Sequence, residues 1–137
     1  MEHYHDTEWG IPCHNDRKLF EYLLMERYNG MIRSRRKIEA IVNNARCFLR
    51  VCDEFGSFDA YFWRFTDRQT YIYRHHLNGE WITRNELSAT IAADLKKRGF
   101  KYLGSTLIYS FMQSIGMVND HAAECPMFEH VGGVIVE

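Results

Sequence analysis

The feature that most constrains this chain is a long helical repeat near its centre. Ile38, Ile41, Val42, Ala45, Phe48 and Leu49 recur at spacings of three and four, which predicts a helix from about Arg33 to Glu54. Gly56 follows and stops it. A helix that long with one apolar face must be covered by other elements, and the remaining sequence supplies them as further helices. Asp16 can cap a helix running to about Tyr28, with Leu19, Phe20, Leu23 and Leu24 on its apolar face. Asn29-Gly30 breaks that helix, because both residues tolerate positive φ.

After Gly56, the stretch Phe58–Phe65 predicts a short buried helix packed by Phe58, Tyr61, Phe62 and Phe65. Residues 66–82 carry the weakest signal, with Tyr71-Ile72-Tyr73 as an extended segment and Asn78-Gly79 as a turn. Thr83 and Glu86 form a capping-box pair ahead of Leu87, Ile91 and Leu95. Lys96-Lys97-Arg98 then complement the helix dipole before Gly99. A last helix runs from about Ser105 to Ile115 and ends at Gly116. Five or six helices with no convincing strand pair define an all-α fold. The 137 residues, 46% hydrophobic and without repeats or Pro/Gly-rich linkers, suit a single domain over 1-137.

A formal net charge of −1 excludes attraction to nucleic acid by bulk charge, so any DNA binding must come from local basic patches and placed backbone amides. No apolar run approaches the length of a membrane helix, and Met1 is followed by polar residues, which points to a cytoplasmic protein with no membrane partner. In that compartment the four cysteines read as thiols or metal ligands. Cys47 and Cys52, inside the long helix, read as buried or half-buried thiols.

Two constellations carry chemistry. In the first, Asn29-Gly30-Met31-Ile32 turns into Arg33-Ser34-Arg35-Arg36-Lys37 at a helix start. Amides at such a turn can hold a phosphate, and Gly30, Arg33, Arg35, Arg36 and Lys37 are the candidate DNA-binding residues. This is how a helix-hairpin-helix element clasps a strand without reading its sequence. A plain turn with a solvated basic face is the alternative. In the second, His121 and Cys125 stand four apart, which predicts two metal ligands on one face of a helical turn, with His5 as a third. An ordinary polar tail is the alternative there. A zinc ion on these three would staple the chain's two ends and contribute folding energy.

Tyr4-His5-Asp6-Thr7-Glu8-Trp9-Gly10-Ile11-Pro12 closely resembles the opening of the DNA-3-methyladenine glycosylase I family. So do Leu19-Phe20-Glu21 with Glu26, Ile32-Arg33 with Lys37-Ile38, and Leu95-Lys96-Lys97-Arg98-Gly99-Phe100-Lys101. The most specific match is Tyr109-Ser110-Phe111-Met112-Gln113 through Gly116, Val118, Asn119, Asp120 and His121. The resemblance implies an all-helical helix-hairpin-helix enzyme that excises 3-methyladenine from alkylated double-stranded DNA and leaves an abasic site. It implies a structural zinc held by His5, His121 and Cys125. The family's fourth ligand is a cysteine upstream of the tyrosine-histidine pair, ahead of where this sequence begins; His3, Cys13 or a water are the substitutes. It implies a base pocket in which Glu26 hydrogen-bonds the flipped base and acts catalytically, Tyr4 lines the wall and Trp9 lies near. No motif positions a lysine as a Schiff-base nucleophile, so the expected enzyme is monofunctional.

One departure stands out. After Glu26 the family continues with a glutamine-rich turn, a Gly-Leu-Ser-Trp motif and several tens of helical residues, whereas here Arg27-Tyr28-Asn29-Gly30 follows directly. Either the protein is internally shortened near 26-30, or the sequence as written omits residues. Shortening would uncover apolar faces at roughly 1.5–3 kcal/mol per Leu or Phe and would favour pairing into a homo-oligomer. It would also remove the pocket tryptophan. That sets a second reading beside the enzyme: a degenerate zinc-containing DNA- or base-binding module without catalysis.

Overall fold

The computed structural model describes residues 34–137. The helix expected over 16–28 lies outside the described residues, as do Tyr4, His5, Trp9, Glu26, Gly30 and Arg33.

The long amphipathic repeat forms α1, Arg35–Phe55. It closes on Gly56 at φ 85°, whose N–H donates to the Cys52 carbonyl at 2.8 Å. One residue later α2 covers Phe58–Trp63, started by the Ser57 hydroxyl, which accepts from the Ala60 N–H at 2.9 Å. The expected helix to Phe65 is thus an α-helix that tightens into a 3₁₀ turn over Arg64–Thr66. Tyr71–Tyr73 forms β1, followed by the single turn α3, Arg74–Leu77.

Next comes α4, Glu86–Lys97, whose cap departs from expectation. Asn85, rather than Thr83, is the N-cap: its side chain accepts from Ser88 N–H at 2.8 Å, while Ser88 Oγ accepts from Asn85 N–H at 2.9 Å. Glu86 therefore opens the helix instead of closing the box. α5 spans Ser105–Ser114 and α6 Pro126–Val131.

The described residues are mostly helical, as the apolar spacing requires. The expectation of no strand pair is corrected, because β1 pairs in parallel with β2, Val134–Val136, in the register Tyr71↔Val134, Ile72↔Ile135, Tyr73↔Val136. β2 is a β-branched triplet released by Gly132-Gly133. On its other edge β1 meets the segment after α5: Tyr71 N–H donates to Met117 O, and Asn119 N–H donates to Tyr71 O, both at 2.9 Å.

The core is built from α1, α2, α4 and α5. Cys47 and Val51 meet Tyr61 and Phe62, Ile91 and Leu95, and Ile108, Tyr109 and Met112, with Met117 and Val118 beneath β1. Cys47 is the buried thiol its position suggests, and Cys52 is half-buried. Aromatic rings tie the helices together: Phe48 stacks on Phe58 at 4.8 Å, and Phe62 meets Phe111 edge-on at 5.0 Å. The outer face of α1 is different. Ile41 and Leu49 are 56% and 62% exposed beside a shallow apolar groove that includes Phe48 and Leu103. No helix among the described residues is long and apolar enough to cross a membrane.

A polar node joins the layers. Asp94 accepts from the Tyr61 hydroxyl at 2.8 Å, from Arg98 Nε at 2.9 Å and from Arg64 at 3.2 Å. Partial burial pushes the Asp94 carboxyl up, but the hydrogen bonds from Arg98 and Tyr61 and the two guanidinium charges outweigh it, leaving the group below its ordinary 3.8. A carboxylate depressed on folding stabilises the fold above its unfolded pKa and loses that contribution as pH falls through the folded value. Thermal melts of the wild type should therefore show the melting temperature dropping as pH goes below about 4, and Asp94→Asn should flatten that acid limb. Parallel acid limbs would show that this node does not set the acid response.

Candidate DNA-contacting and metal-binding sites

Two candidate sites form at opposite ends of the described chain. At the first, Ser34 sits in extended backbone (φ −113°, ψ 110°), and its carbonyl accepts from the N–H groups of Lys37 and Ile38 at 3.0 Å. Its side chain makes no capping bond, and no acidic residue occupies the first turn of α1. Arg35, Arg36 and Lys37 stand there instead, all exposed, although cations at a helix start oppose the dipole. The arrangement is electrostatically unfavourable alone and favourable once an anion arrives. Arg35 is partly compensated by Glu39, at 3.1 Å. The structure thus gathers three of the five predicted DNA-binding residues on one helix end; Gly30 and Arg33 precede the described residues.

A pair of asparagines, not singled out by sequence, fixes what lies beside that helix. Asn44 closes a double bond with the backbone of Lys101, donating to its carbonyl and accepting from its N–H, each at 2.8 Å. Asn43 donates to the Gly99 carbonyl at 2.8 Å. Gly99 itself ends α4 in a Schellman closure, with its N–H on Lys96 O and the Phe100 N–H on Leu95 O. Its φ of +93° suits glycine, and a Cβ there would stand 3.3 Å from the Cys47 sulfur.

At the second site His121 and Cys125 come together as predicted, but not by the predicted means. Residues 119–125 form a turn rather than a helix, and Cys125 is the N-cap residue of α6. The His121 Nδ1 and Cys125 Sγ atoms lie 3.9 Å apart. Two zinc ligands with ordinary bond lengths in a tetrahedron stand about 3.6 Å apart, so this imidazole and thiol fit a shared zinc with a small adjustment. His5, the third expected ligand, lies outside the described residues.

The turn is held from beneath. Asn119, 1% exposed, donates from Nδ2 to the carbonyls of Phe128 and Gly132, both at 2.9 Å, and its Oδ1 accepts from His121 N–H at 3.3 Å. The His121 carbonyl meets His76 Nε2 at 3.0 Å, the nitrogen that must carry the proton for this bond. Next in the chain, Asp120 accepts from the Tyr109 hydroxyl at 2.6 Å and from Gln113 at 2.8 Å. Burial, then the hydrogen bond to Asp120 and its charge, hold the Tyr109 hydroxyl far above the usual phenol range. Tyr109, Gln113, Asn119, Asp120 and His121 all belong to the stretch that carried the most specific resemblance; their shared task here is to fix this turn. Asn119→Ala would remove the side-chain donor to the Phe128 and Gly132 carbonyls and the acceptor of the His121 amide. It should cost about 2–4 kcal/mol in urea denaturation; a loss under about 0.5 kcal/mol would refute this structural role.

With these geometries in place, similarity to known proteins becomes specific. The family profile described as methyladenine glycosylase matches residues 1–30 and 24–130. DNA-3-methyladenine glycosylase 1 of Escherichia coli (strain K12) is 32% identical over 164 aligned positions, covering 89% of this chain and 88% of that protein. DNA-3-methyladenine glycosylase of Haemophilus influenzae is 30% identical, covering 90% and 89%. Among solved structures, a Tyr-to-Phe variant of 3-methyladenine DNA glycosylase I in complex with 3-methyladenine superposes with a TM-score of 0.70 at 27% identity. That match covers 85% of this chain but only 61% of the solved one. The profile spans nearly the whole sequence, and the fold agrees with it: this chain belongs to the methyladenine glycosylase family.

Proposed function

We propose that this chain is a DNA-3-methyladenine glycosylase that hydrolyses the N-glycosidic bond of 3-methyladenine in alkylated double-stranded DNA and leaves an abasic site. The observation that carries this reading is similarity along almost the whole chain to proteins named for that activity, one of them solved with the base bound. Relatives named as enzymes favour catalysis over the non-catalytic binding module.

The chemistry asks little of the protein. Methylation at N3 makes the base a cation, so it leaves as a neutral molecule and needs no strong general acid. Glu26 would hydrogen-bond the flipped base and favour the cation over adenine electrostatically, with Tyr4 and Trp9 as the aromatic wall. Water takes the sugar carbon, and with no lysine placed as a nucleophile the enzyme is monofunctional. Gly30, Arg33, Arg35, Arg36 and Lys37 would clasp the strand at the hairpin. The uncapped, acid-free first turn of α1 supports that role. His5, His121 and Cys125 would hold a structural zinc, whose chemistry there is to tie the chain's start to its end and add folding free energy. We place the protein in the cytoplasm, as one domain.

An internal shortening near 26-30 is part of the proposal. The family profile matches in two pieces that overlap at residues 24–30, and the alignment to the Escherichia coli protein runs over 164 positions against 137 residues here. The exposed Ile41 and Leu49 on α1 support pairing of two copies through that face.

Incubated with methylated duplex DNA, the chain should release 3-methyladenine, and Glu26→Gln should slow release on the order of 100-fold. Binding of methylated DNA by the folded chain with no base released would defeat the enzymatic reading. Metal analysis tests the zinc separately: the wild type should carry one zinc, and His121→Ala or Cys125→Ala should lose it and melt earlier. Unchanged metal content in both variants would remove these residues from the site.

A further inference from the structure

Between the two candidate metal ligands the chain has little to steer it. The His121 imidazole is exposed, and among the described residues its side-chain partner is the Cys125 sulfur. Upstream, Asn119 Oδ1 takes the His121 N–H. Downstream, the Cys125 N–H closes on the Ala122 carbonyl at 2.8 Å, and the Cys125 carbonyl takes the Phe128 N–H at 2.9 Å. All of these bonds lie within residues 119–128. Among the described residues one group from elsewhere enters the interval: His76 of α3, whose Nε2 stands 3.0 Å from the His121 carbonyl.

That contact is directional and well held. A carbonyl only accepts, so Nε2 carries the proton. The residue is buried, at 8% exposure, and its ring is gripped from two sides: Trp81 meets it edge-on at 4.9 Å, and Asp120 Oδ1 lies 3.9 Å from Nδ1. The turn closes behind it, with the Gly79 N–H donating to the His76 carbonyl at 2.9 Å.

His121 is therefore fixed at both of its peptide groups, its N–H by Asn119 and its carbonyl by His76. Peptide groups are planar, so holding the two planes that flank one Cα atom fixes φ and ψ between them. With the carbonyl released, ψ of His121 would relax and swing Ala122, and through the 2.8 Å bond the residue that carries the thiol. His76 lies outside the sequence blocks that most closely resemble the family, in the stretch 66–82 where the local signal is weakest.

We propose that His76 is a positioning residue for the zinc site: its Nε2–H holds the His121 carbonyl and thereby sets the separation of imidazole and thiol that the metal meets. The proposal rests on the zinc reading of His121 and Cys125, and adds to it a residue that does not touch the metal. Removing a group that orients a ligand in this way weakens metal binding about 10–100-fold.

The test is zinc competition against a chromophoric chelator, run on the full chain at a temperature where circular dichroism shows each variant folded. His76→Asn, whose amide reaches only as far as Nδ1, and His76→Leu, which has no donor, should each bind zinc about 10–100-fold more weakly than the wild type. His76→Gln puts an amide N–H where Nε2 stands and should restore the affinity. Loaded with cobalt(II) instead, the wild type and H76Q should share one thiolate-to-metal absorption band, and H76N should lose intensity from it. A role in stability alone would lower the melting temperature of the metal-free variants but leave zinc affinity and the cobalt band at wild-type values, which overturns the proposal. A loss in H76Q as large as in H76N overturns it too, because the donor would then not be what matters. Both results leave the zinc reading standing. A wild type that takes up neither zinc nor cobalt overturns the zinc reading and this role together.

Discussion

One carboxylate holds the helical layers in register. Asp94 receives Tyr61 from α2, Arg64 from the 3₁₀ turn and Arg98 from the end of its own helix, and Arg98 continues to Glu54 of α1 at 2.7 Å. The two guanidinium groups also lie over the rings of Phe55 and Tyr61, at 4.9 to 5.1 Å from their centroids. The pairs are part-exposed, and their individual contributions to stability are modest. Their importance is geometric. They set where α4 ends relative to α1, and everything in the loop after α4 inherits that position through Gly99 and the two asparagines.

The far end of the chain uses a different device. β1 is too short to be stable as a hairpin partner alone, yet it has a neighbour on each edge: β2 on one side and residues 117–119 on the other. That brings Asn119 to where one amide can satisfy two carbonyls of α6 and its exit, leaving its oxygen for the His121 amide. The turn that carries His121 and Cys125 is thus held by hydrogen bonds of its own, which bring the two side chains together.

These devices were unequally legible in the sequence. α1, α2, α4 and α5 could be read because each carries an apolar stripe at helical spacing, which is a local signal. β2 could not, since three residues pair with a strand about sixty positions away and no local period marks them. α6 was missed because it is six residues long and has no buried residue. The cap of α4 was misplaced because Thr83/Glu86 and Asn85/Ser88 both offer reciprocal donors and acceptors; backbone register decides between them. His121 and Cys125 lie close together as their spacing suggested, but a turn rather than a helix closes the interval. Asn43 and Asn44 resembled polar filler on a helix, and no residue type announces a positive φ at Tyr102.

A net charge of −1 does not describe how charge is arranged on this chain. Among the described residues several acids are taken up by arginines. Asp94 and Glu54 are occupied by Arg98 and Arg64 on one flank of the core, Asp59 by Arg68, and Glu137 by Arg74. Pairing neutralises those regions locally, and their fields fade within a Debye length of about 8 Å at physiological salt. Among the described residues no ion pair goes to Arg36, Lys37, Lys96 or Lys101, so these cations keep more of their field. Bulk charge therefore predicts poorly what such a chain attracts. The sum governs its solubility, whereas the separation of paired from unpaired arginine and lysine decides where a phosphate backbone can settle.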